Sequence, residues 1–397
     1  MPEHRVVLRN CGKTDPTDIA SWLAEGGFQG LDRARNELTP EAVIGEVKAS
    51  GLRGRGGAGF PTGLKWELTR KSPGDERYVI CNADEGELGT FKDRYILERD
   101  PFTLVEGIAI ACHAVGARHA FLYVRDEYGD LLGHLQRTIA AAEAERPLGC
   151  AIHLREAAGA YVCGEESALM ESIERKRGEP RYRPPFPPSK GLWGQPTVIQ
   201  NVETMMNVPA ILREGPEWFA NIGTEKSKGT KVFSVSGDVS RPAVFEVPMG
   251  TPLREVVEQM AGATSVKMVQ VGGASGRVVP YERIDAPLAF ESVLGAGAII
   301  VYDDSRDAVE VGLRTMEFFR EECCGKCSPC RQGTEALVEI LEGLVHGRGR
   351  ERDLTLLQDI AENMMLASLC GLGQAAPNYL VDTLQSFRDE YLARLAA

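Results

Sequence analysis

A chain of 397 residues, 43% hydrophobic and 26% charged, has room for two or three domains, each with its own core. Its formal charge of −12 argues against nucleic acid as a main partner, because phosphate backbones recruit the opposite sign. No apolar run reaches the length of a membrane span and the opening residues lack the shape of a secretory signal, so direct membrane insertion is not expected. The expected location is the cytoplasm, or the cytoplasmic face of a membrane complex. Ten cysteines there should bind metal or pack as small apolar groups rather than form disulfides.

Residues 1–50 read as an N-terminal helical segment. Asp15-Pro16 is expected to start a helix with Ile19, Trp22 and Leu23 on one face. Thr39-Pro40-Glu41 supplies an N-cap, a first-turn proline and a dipole-compatible acid for the next, which carries Val43, Ile44 and Val47. Residues 51–230 are expected to form an α/β domain. Strands at Tyr78–Cys81, Ala120–Arg125 and Ala151–Arg155 alternate with helices at Leu104–Val115 and Leu131–Ala144, which implies a largely parallel sheet. The basic, proline-broken stretch 175–197 should be an ordered loop or lid. Within 231–303, strands at Lys231–Val235, Ala243–Val247, Met268–Val271 and Ala298–Tyr302 surround one helix, Pro252–Met260, suggesting a small β-grasp-like α+β domain. Residues 304–397 carry four helical stripes, expected as a four-helix bundle: Val309, Leu313 and Met316; Leu337, Ile340, Leu341 and Leu344; Leu356, Ile360 and Met364; Leu384, Phe387 and Tyr391.

Four loops carry chemistry. The segment from Gly51 to Trp66 contains a literal G-x-G-x-x-G. A capped helix precedes it where a dinucleotide fingerprint follows a strand, so the ordinary Rossmann reading of the motif fails. What remains is either a phosphate-suited row of backbone N–H groups beside Arg53, Arg55 and Lys65, or a flexible turn with solvated basic residues. Cys81-Asn-Ala-Asp-Glu-Gly-Glu87 follows a strand, where α/β sheets gather ligands. Its carboxylates repel phosphate but accept hydrogen bonds from ribose, a flavin ring or a carboxamide; a solvated acidic turn is the competing reading. Gly159–Ser167 opens a helix whose Glu165 and Glu166 could serve a ligand or merely the helix dipole, and Asn201 could be only a helix cap. Finally, Cys324, Cys327 and Cys330 at C-x2-C-x2-C spacing, with Cys370 as a plausible fourth thiolate, favour a [4Fe–4S] cluster. Structural zinc usually takes two separate knuckles or mixed Cys/His sets, and no histidine lies nearby.

In this order, from about residue 40 to the end, the glycine loop, Cys81–Glu85, Phe91-Lys-Asp-Arg94, Cys163-Gly-Glu-Glu166 and Cys324–Arg331 resemble one family. It is the NADH-binding flavoprotein subunit of NADH:quinone oxidoreductase (respiratory complex I), a subunit type shared with bidirectional and bifurcating hydrogenases and NAD-dependent formate dehydrogenases. The resemblance implies FMN held non-covalently in a Rossmann-like α/β domain, NAD(H) stacked over it, and a [4Fe–4S] cluster in the helical domain. By matching position, Gly54, Arg55, Gly56 and Lys65 would hold the flavin phosphate region. Asn82, Asp84, Glu85, Tyr161, Gly164, Glu165, Gln200, Asn201 and Thr204 would line the rest of the flavin. Phe60 and Phe186 would flank the adenine. Glu87, in the catalytic position, and Glu166 would contact the nicotinamide and ribose side, and Glu166 would disfavour a 2′-phosphate. Cys324, Cys327, Cys330 and Cys370 match the cluster ligands.

The sequence departs from the family pattern at three places. Cys323 stands where serine is common, although the spacing keeps Cys324 as the ligand; Leu68 occupies a site where a second aromatic can support the adenine; and Gln200 replaces a usual asparagine. The implied activity is an NADH dehydrogenase: hydride transfer from NADH to FMN, then single electrons through the cluster to iron–sulfur partner subunits, including a thioredoxin-like [2Fe–2S] subunit. His113, His119, His134 and His153 need no role in it. The alternative is a non-catalytic iron–sulfur scaffold that has lost nucleotide turnover; a zinc-binding regulatory protein is disfavoured by the cysteine spacing.

Overall fold

A computed structural model describes residues 3–396. Among them no helix is long and apolar enough to cross a membrane. The first helix, α1 (Ile19–Ala24), begins later than the sequence suggests. Asp15 spends its carboxylate on the Thr17 N–H and hydroxyl in a local turn, and Asp18 is the true cap, accepting from the N–H groups of Ala20 and Ser21. After α2 (Gln29–Asn36), α3 (Pro40–Ala49) starts at its expected signal, with the Thr39 hydroxyl accepting from Ala42 N–H.

Past α4 (Thr62–Lys71) the chain alternates β1 (Tyr78–Ala83), α5 (Lys92–Arg99), α6 (Pro101–Val115), β2 (His119–Val124), α7 (Leu132–Glu145), β3 (Ala151–Glu156), α8 (Glu166–Ile173), β4 (Thr197–Asn201), α9 (Val202–Glu214) and α10 (Pro216–Ala220). The four strands form one parallel Rossmann-like sheet in the order β3-β2-β1-β4, with Tyr78 opposite His119 and Thr197. Strand β4 is an addition to the expected set: it emerges directly from the proline-rich loop, whose composition masks it. Alternation along β1 sends Val79, Cys81 and Ala83 into a core shared with α6 and α9, and Tyr78 and Ile80 into a second core on the opposite face. Helix α6 is apolar almost all round because the sheet and α9 enclose it.

The second sheet has five strands: β5 (Thr230–Gly237), β6 (Ala243–Pro248), β7 (Met268–Val271), β8 (Arg277–Pro280) and β9 (Ala298–Tyr302), ordered β6-β5-β9-β7-β8. Strand β9 runs parallel to β5 and antiparallel to β7. Strand β8 follows a glycine-rich turn too closely to stand out in the sequence, and the helix expected at 252–260 is present over 253–260, widening to π-helical turns over Glu255–Met260.

The remaining helices are α11 (Ala308–Glu321), α12 (Ser328–Val345), α13 (Glu351–Ala367), α14 (Gly371–Ala375), α15 (Asn378–Ser386) and α16 (Arg388–Leu392). The first two stripes are buried as expected, except that Ile340 is only partly buried. In α13 the inward positions are Leu354, Leu357, Ala361 and Met364, while Leu356 is 41% exposed. The core seam runs through Ala361, which a search for large apolar residues passes over. The fourth stripe is divided between two short helices, α15 and α16, and Phe387 sits at the break between them.

The core on the Tyr78 face of the parallel sheet continues without interruption through Phe121, Leu169 and Met268 into Met316, Leu337 and Met364, so sheet and C-terminal helices share one interior. The amino-terminal segment is also tied across the molecule. The N–H groups of Val7 and Leu8 donate to the Glu246 carboxylate on β6 at 2.9 and 2.8 Å, and burial pushes that carboxyl up to about 7.

Candidate functional site

The glycine loop lies between α3 and α4 and closes on itself, Gly54 N–H donating to Phe60 C=O at 2.9 Å. Arg55 N–H donates to the Thr204 hydroxyl at 2.8 Å, fastening the loop to α9. A Cβ on Gly56 would stand 2.9 Å from the Asn201 Cβ, so only glycine lets the loop backbone approach the end of β4 this closely. The Arg55 side chain is buried, which lowers its pKa to about 10; Nη2 donates to Lys228 C=O while Nε and Nη1 have no partner. Lys65 projects from α4 to the Ile199 carbonyl, 3.2 Å, and Glu166, 3.5 Å.

The acidic loop leaves the C-terminal end of β1. Asn82 donates to Gly164 C=O at 2.9 Å and accepts from Asp84 N–H at 3.0 Å, which joins the loop to the turn before α8. Burial pushes the Asp84 carboxyl up to about 7, against Arg125 and with help from Glu127 and Glu322, and its Oδ2 is buried without a partner. Gln200 Nε2, on β4 next to β1, is also buried and unpaired. Such atoms are costly to leave unmatched. They are an acceptor on Asp84 and donors on Gln200 and Arg55, the kinds of group that a flavin and its phosphate would match.

Three predicted residues spend their side chains on the fold. Glu85 accepts from the N–H groups of Asp93 (2.8 Å) and Arg94 (3.0 Å) at the start of α5 and from Tyr128 OH (2.9 Å). Glu165 caps α8 through Ser167 and Ala168 N–H and pairs with Arg183. Asn201 caps α9 and donates to Asp93 at 2.7 Å. Glu87 is placed differently: it accepts from Tyr161 OH at 2.7 Å and from Ser275 N–H at 3.1 Å, and burial raises its pKa. Ser275 comes from the β7–β8 turn, 188 residues away, and no local pattern announces it. Phe60 and Phe186 stay 42% and 53% exposed, and Arg183, three residues before Phe186, also reaches Glu166 at 3.3 Å.

Sequence reasoning gave no role to a buried charge network behind this site. Lys92 Nζ lies 2.7 Å from Asp93 and 2.9 Å from Glu203, and Lys231 Nζ lies 2.5 Å from Glu203. Burial alone would raise Glu203, but Lys231 and Lys92 hold it below the usual carboxylate range. The one available sign was Phe91-Lys-Asp-Arg94, charges set among apolar neighbours.

The cysteines meet at one end of the C-terminal helices. Cys324 lies on the loop after α11, Cys327 precedes α12, Cys330 sits in its first turn and Cys370 precedes α14. With Cys323, Val162, Leu369 and Leu372 they line one cavity. Among the described residues no three metal-ligating side chains are close enough to hold a single ion. Cysteines with no histidine around one cavity are a donor set that suits a four-iron cluster better than zinc. Lys326 donates to Glu179 (3.0 Å) and Pro180 C=O (2.7 Å), and Arg177 to Cys324 C=O (2.8 Å), so the proline-rich loop is moored to the cysteine loop. Tyr161 connects the two centres: its hydroxyl holds Glu87, its N–H donates to Glu322 beside Cys323 at 2.8 Å, and its ring meets Phe318 edge-on at 5.2 Å.

A parallel α/β sheet with a phosphate-suited glycine loop, joined through one interior to a many-thiol cavity, defines a flavin- and iron–sulfur-dependent oxidoreductase. Residues 47–210 match the Nuo51 FMN-binding domain, residues 310–394 the NADH-ubiquinone oxidoreductase-F iron-sulfur binding region, and residues 232–279 the SLBB domain. One of the NADH-quinone oxidoreductase F subunits of Rhizobium meliloti (strain 1021), numbered 2, is 42% identical over 98% of this chain and 97% of its own length. The HndC subunit of the NADP-reducing hydrogenase of Solidesulfovibrio fructosivorans is 42% identical over 98% of this chain and 83% of its own. The crystal structure of an NAD+-reducing [NiFe]-hydrogenase in the H2-reduced state superposes with a TM-score of 0.90 at 41% identity, covering 99% of this chain and 67% of that one. The chain belongs to the family of NADH-quinone oxidoreductase F subunits, whose cofactors are FMN and a [4Fe–4S] cluster.

Proposed function

We propose that this chain is the NADH dehydrogenase subunit of a multisubunit oxidoreductase, accepting hydride from NADH and delivering electrons singly to iron–sulfur partner subunits. The observation that carries this reading is the Tyr161 bridge, whose hydroxyl holds Glu87 on the acidic loop while its N–H holds Glu322 beside the thiol cavity. FMN, when bound, supplies the conversion between two-electron and one-electron chemistry. Gly54, Arg55, Gly56, Lys65 and Thr204 form the cradle for its phosphate end. Asn82, Asp84, Tyr161, Gly164, Gln200 and Asn201 surround the rest, with Glu85 and Glu165 holding the helix starts that shape the pocket. Exposed Phe60 and Phe186 suit the adenine of the nicotinamide cofactor, Glu87 its nicotinamide side, and Glu166 a ribose bearing no 2′-phosphate. Cys324, Cys327, Cys330 and Cys370 are the cluster ligands.

The same reading takes residues 1–50 as a helical segment, 51–230 as the flavin domain, 231–303 as a β-grasp-like domain and 304–397 as a helical bundle around the cluster. The β5–β6 hairpin with β9 parallel to β5 supports the β-grasp assignment. A thioredoxin-like [2Fe–2S] subunit is the partner that would receive the electrons, on the cytoplasmic side. The test is an anaerobic absorbance titration of the purified chain. Flavin and iron–sulfur bands bleached by NADH but hardly by NADPH are expected. A cluster without flavin or NADH response would leave only an electron-transfer scaffold.

The raised pKa of Asp84 makes flavin binding depend on pH. Because burial lifts the carboxyl to about 7, its neutral form is favoured in the empty pocket, and the stability this gives is lost as pH rises through 7. A flavin N–H bonds an ionised carboxylate more strongly than a neutral carboxyl. FMN affinity of the stripped chain is therefore expected to fall as pH drops below about 7, by up to about tenfold per unit, and Asp84→Asn to flatten the profile. An unchanged slope in that variant would move the titration to another group, such as Glu85, which is pushed up to about 7 mainly by burial, with Asp93 adding to it.

A further inference from the structure

Cys323 lies outside the C-x2-C-x2-C spacing, yet the fold does not leave it aside. Helix α11 ends at Glu321, and the turn that follows carries Cys323 into the cavity lined by Cys324, Cys327, Cys330 and Cys370. Its Sγ stands 3.4 Å from Cys330 Sγ, within reach of an S–H···S hydrogen bond. Geometry alone leaves the donor undecided, but chemistry decides it once a cluster is bound. A ligand sulfur is a thiolate with no proton to give, so Cys323 is the donor and Cys330 the acceptor.

We propose that Cys323 is a fifth thiol of the cluster site, a positioning residue whose S–H donates to the sulfur of Cys330 and raises the cluster's reduction potential. A hydrogen bond to a ligand sulfur draws electron density from the iron and favours the reduced cluster, whose charge is more negative. The neighbouring groups preserve the contact. Thr334 OH donates to Cys330 C=O at 2.9 Å, fixing the first turn of α12, and Arg177 holds the adjoining Cys324 carbonyl at 2.8 Å. A Cβ on Gly373 would lie 2.8 Å from the Cys330 Cβ, so the opposite side of that side chain is closed as well. The inference rests on Cys330 being a ligand.

The experiment compares the full chain with Cys323→Ala and Cys323→Ser, measuring iron per chain and the cluster midpoint by redox titration followed by electron paramagnetic resonance. Four irons in each are expected, with the midpoint shifted negative in Cys323→Ala and shifted less in Cys323→Ser, whose hydroxyl still donates. Four irons with an unmoved midpoint in Cys323→Ala would overturn the proposal and leave the ligand assignment standing. Fewer than four irons in Cys323→Ala would also overturn it. Cys330→Ala retaining its iron would then show that Cys323, not Cys330, is the ligand.

Discussion

Replacing Cys370 with alanine is expected to abolish electron delivery to partner subunits while leaving the flavin reducible by NADH. Cys370 is the one proposed ligand contributed from outside the 324–330 loop, at the start of α14 and nearly buried. Burial opposes its thiolate, but N–H groups of Gly373 and Leu372 support it, so the site is arranged for a metal-bound sulfur. Without it three thiolates remain on one short loop, and a four-iron cluster lacks its fourth corner. The proposed flavin pocket lies on other elements, at the ends of β1 and β4 and the starts of α8 and α9. Iron analysis should therefore show loss of the cluster, and NADH should still bleach the flavin band, while reduction of a one-electron acceptor beyond the cluster disappears. Four irons and undiminished onward transfer in Cys370→Ala would remove this residue from the ligand set.

The second large effect is expected at Glu203. Its carboxylate is fully buried, faces the Lys92 and Lys231 ammonium groups at 2.9 and 2.5 Å, and accepts from Val232 N–H at 2.8 Å. Glu203→Gln removes the negative charge, leaving Lys92 with Asp93 and Lys231 with only the carbonyls of Val232 and Ala296, a change worth about 3–5 kcal/mol. The thermal midpoint of the chain should drop markedly. Retention of FMN should fall with it, because Asp93 also holds Asn201 beside the glycine loop. Adding Lys231→Met to Glu203→Gln should recover part of the loss, since it removes the uncompensated charge. A midpoint within about 0.5 kcal/mol of the parent would mean that the network is not ionised as described.

The parallel sheet was readable because β1, β2 and β3 alternate with apolar helices whose periods differ from theirs. Strand β4 was not, since the prolines of 175–197 extend to Pro196, one residue before it starts. Leu356 misled because size was weighed above position; Ala361 lies on the buried seam of α13 and Leu356 does not. At the site, the glycine loop and the cysteine spacing announced themselves, being local patterns. Whether Glu85, Glu165 and Asn201 faced a ligand or a helix start was not readable, because a carboxylate or amide beside a helix N-terminus suits both uses. Ser275 on Glu87 and Lys231 on Glu203 join residues 188 and 28 positions apart, and only the assembled fold makes them neighbours.

The clasp between Val7, Leu8 and Glu246 bears on how the molecule is made. Val7 is separated from its acceptor by 239 positions, so a ribosome adding about 5–20 residues each second exposes the amino-terminal segment for roughly 10–50 s before Glu246 emerges. During that interval the α/β sheet can already form, since β1 to β4 are complete by Asn201. Its helical face, however, lacks the cover that Val6, Val7 and Leu8 provide in the finished core. The nascent chain therefore passes through a stage with its sheet assembled and part of its apolar interior open, the stage at which a chaperone has most to bind.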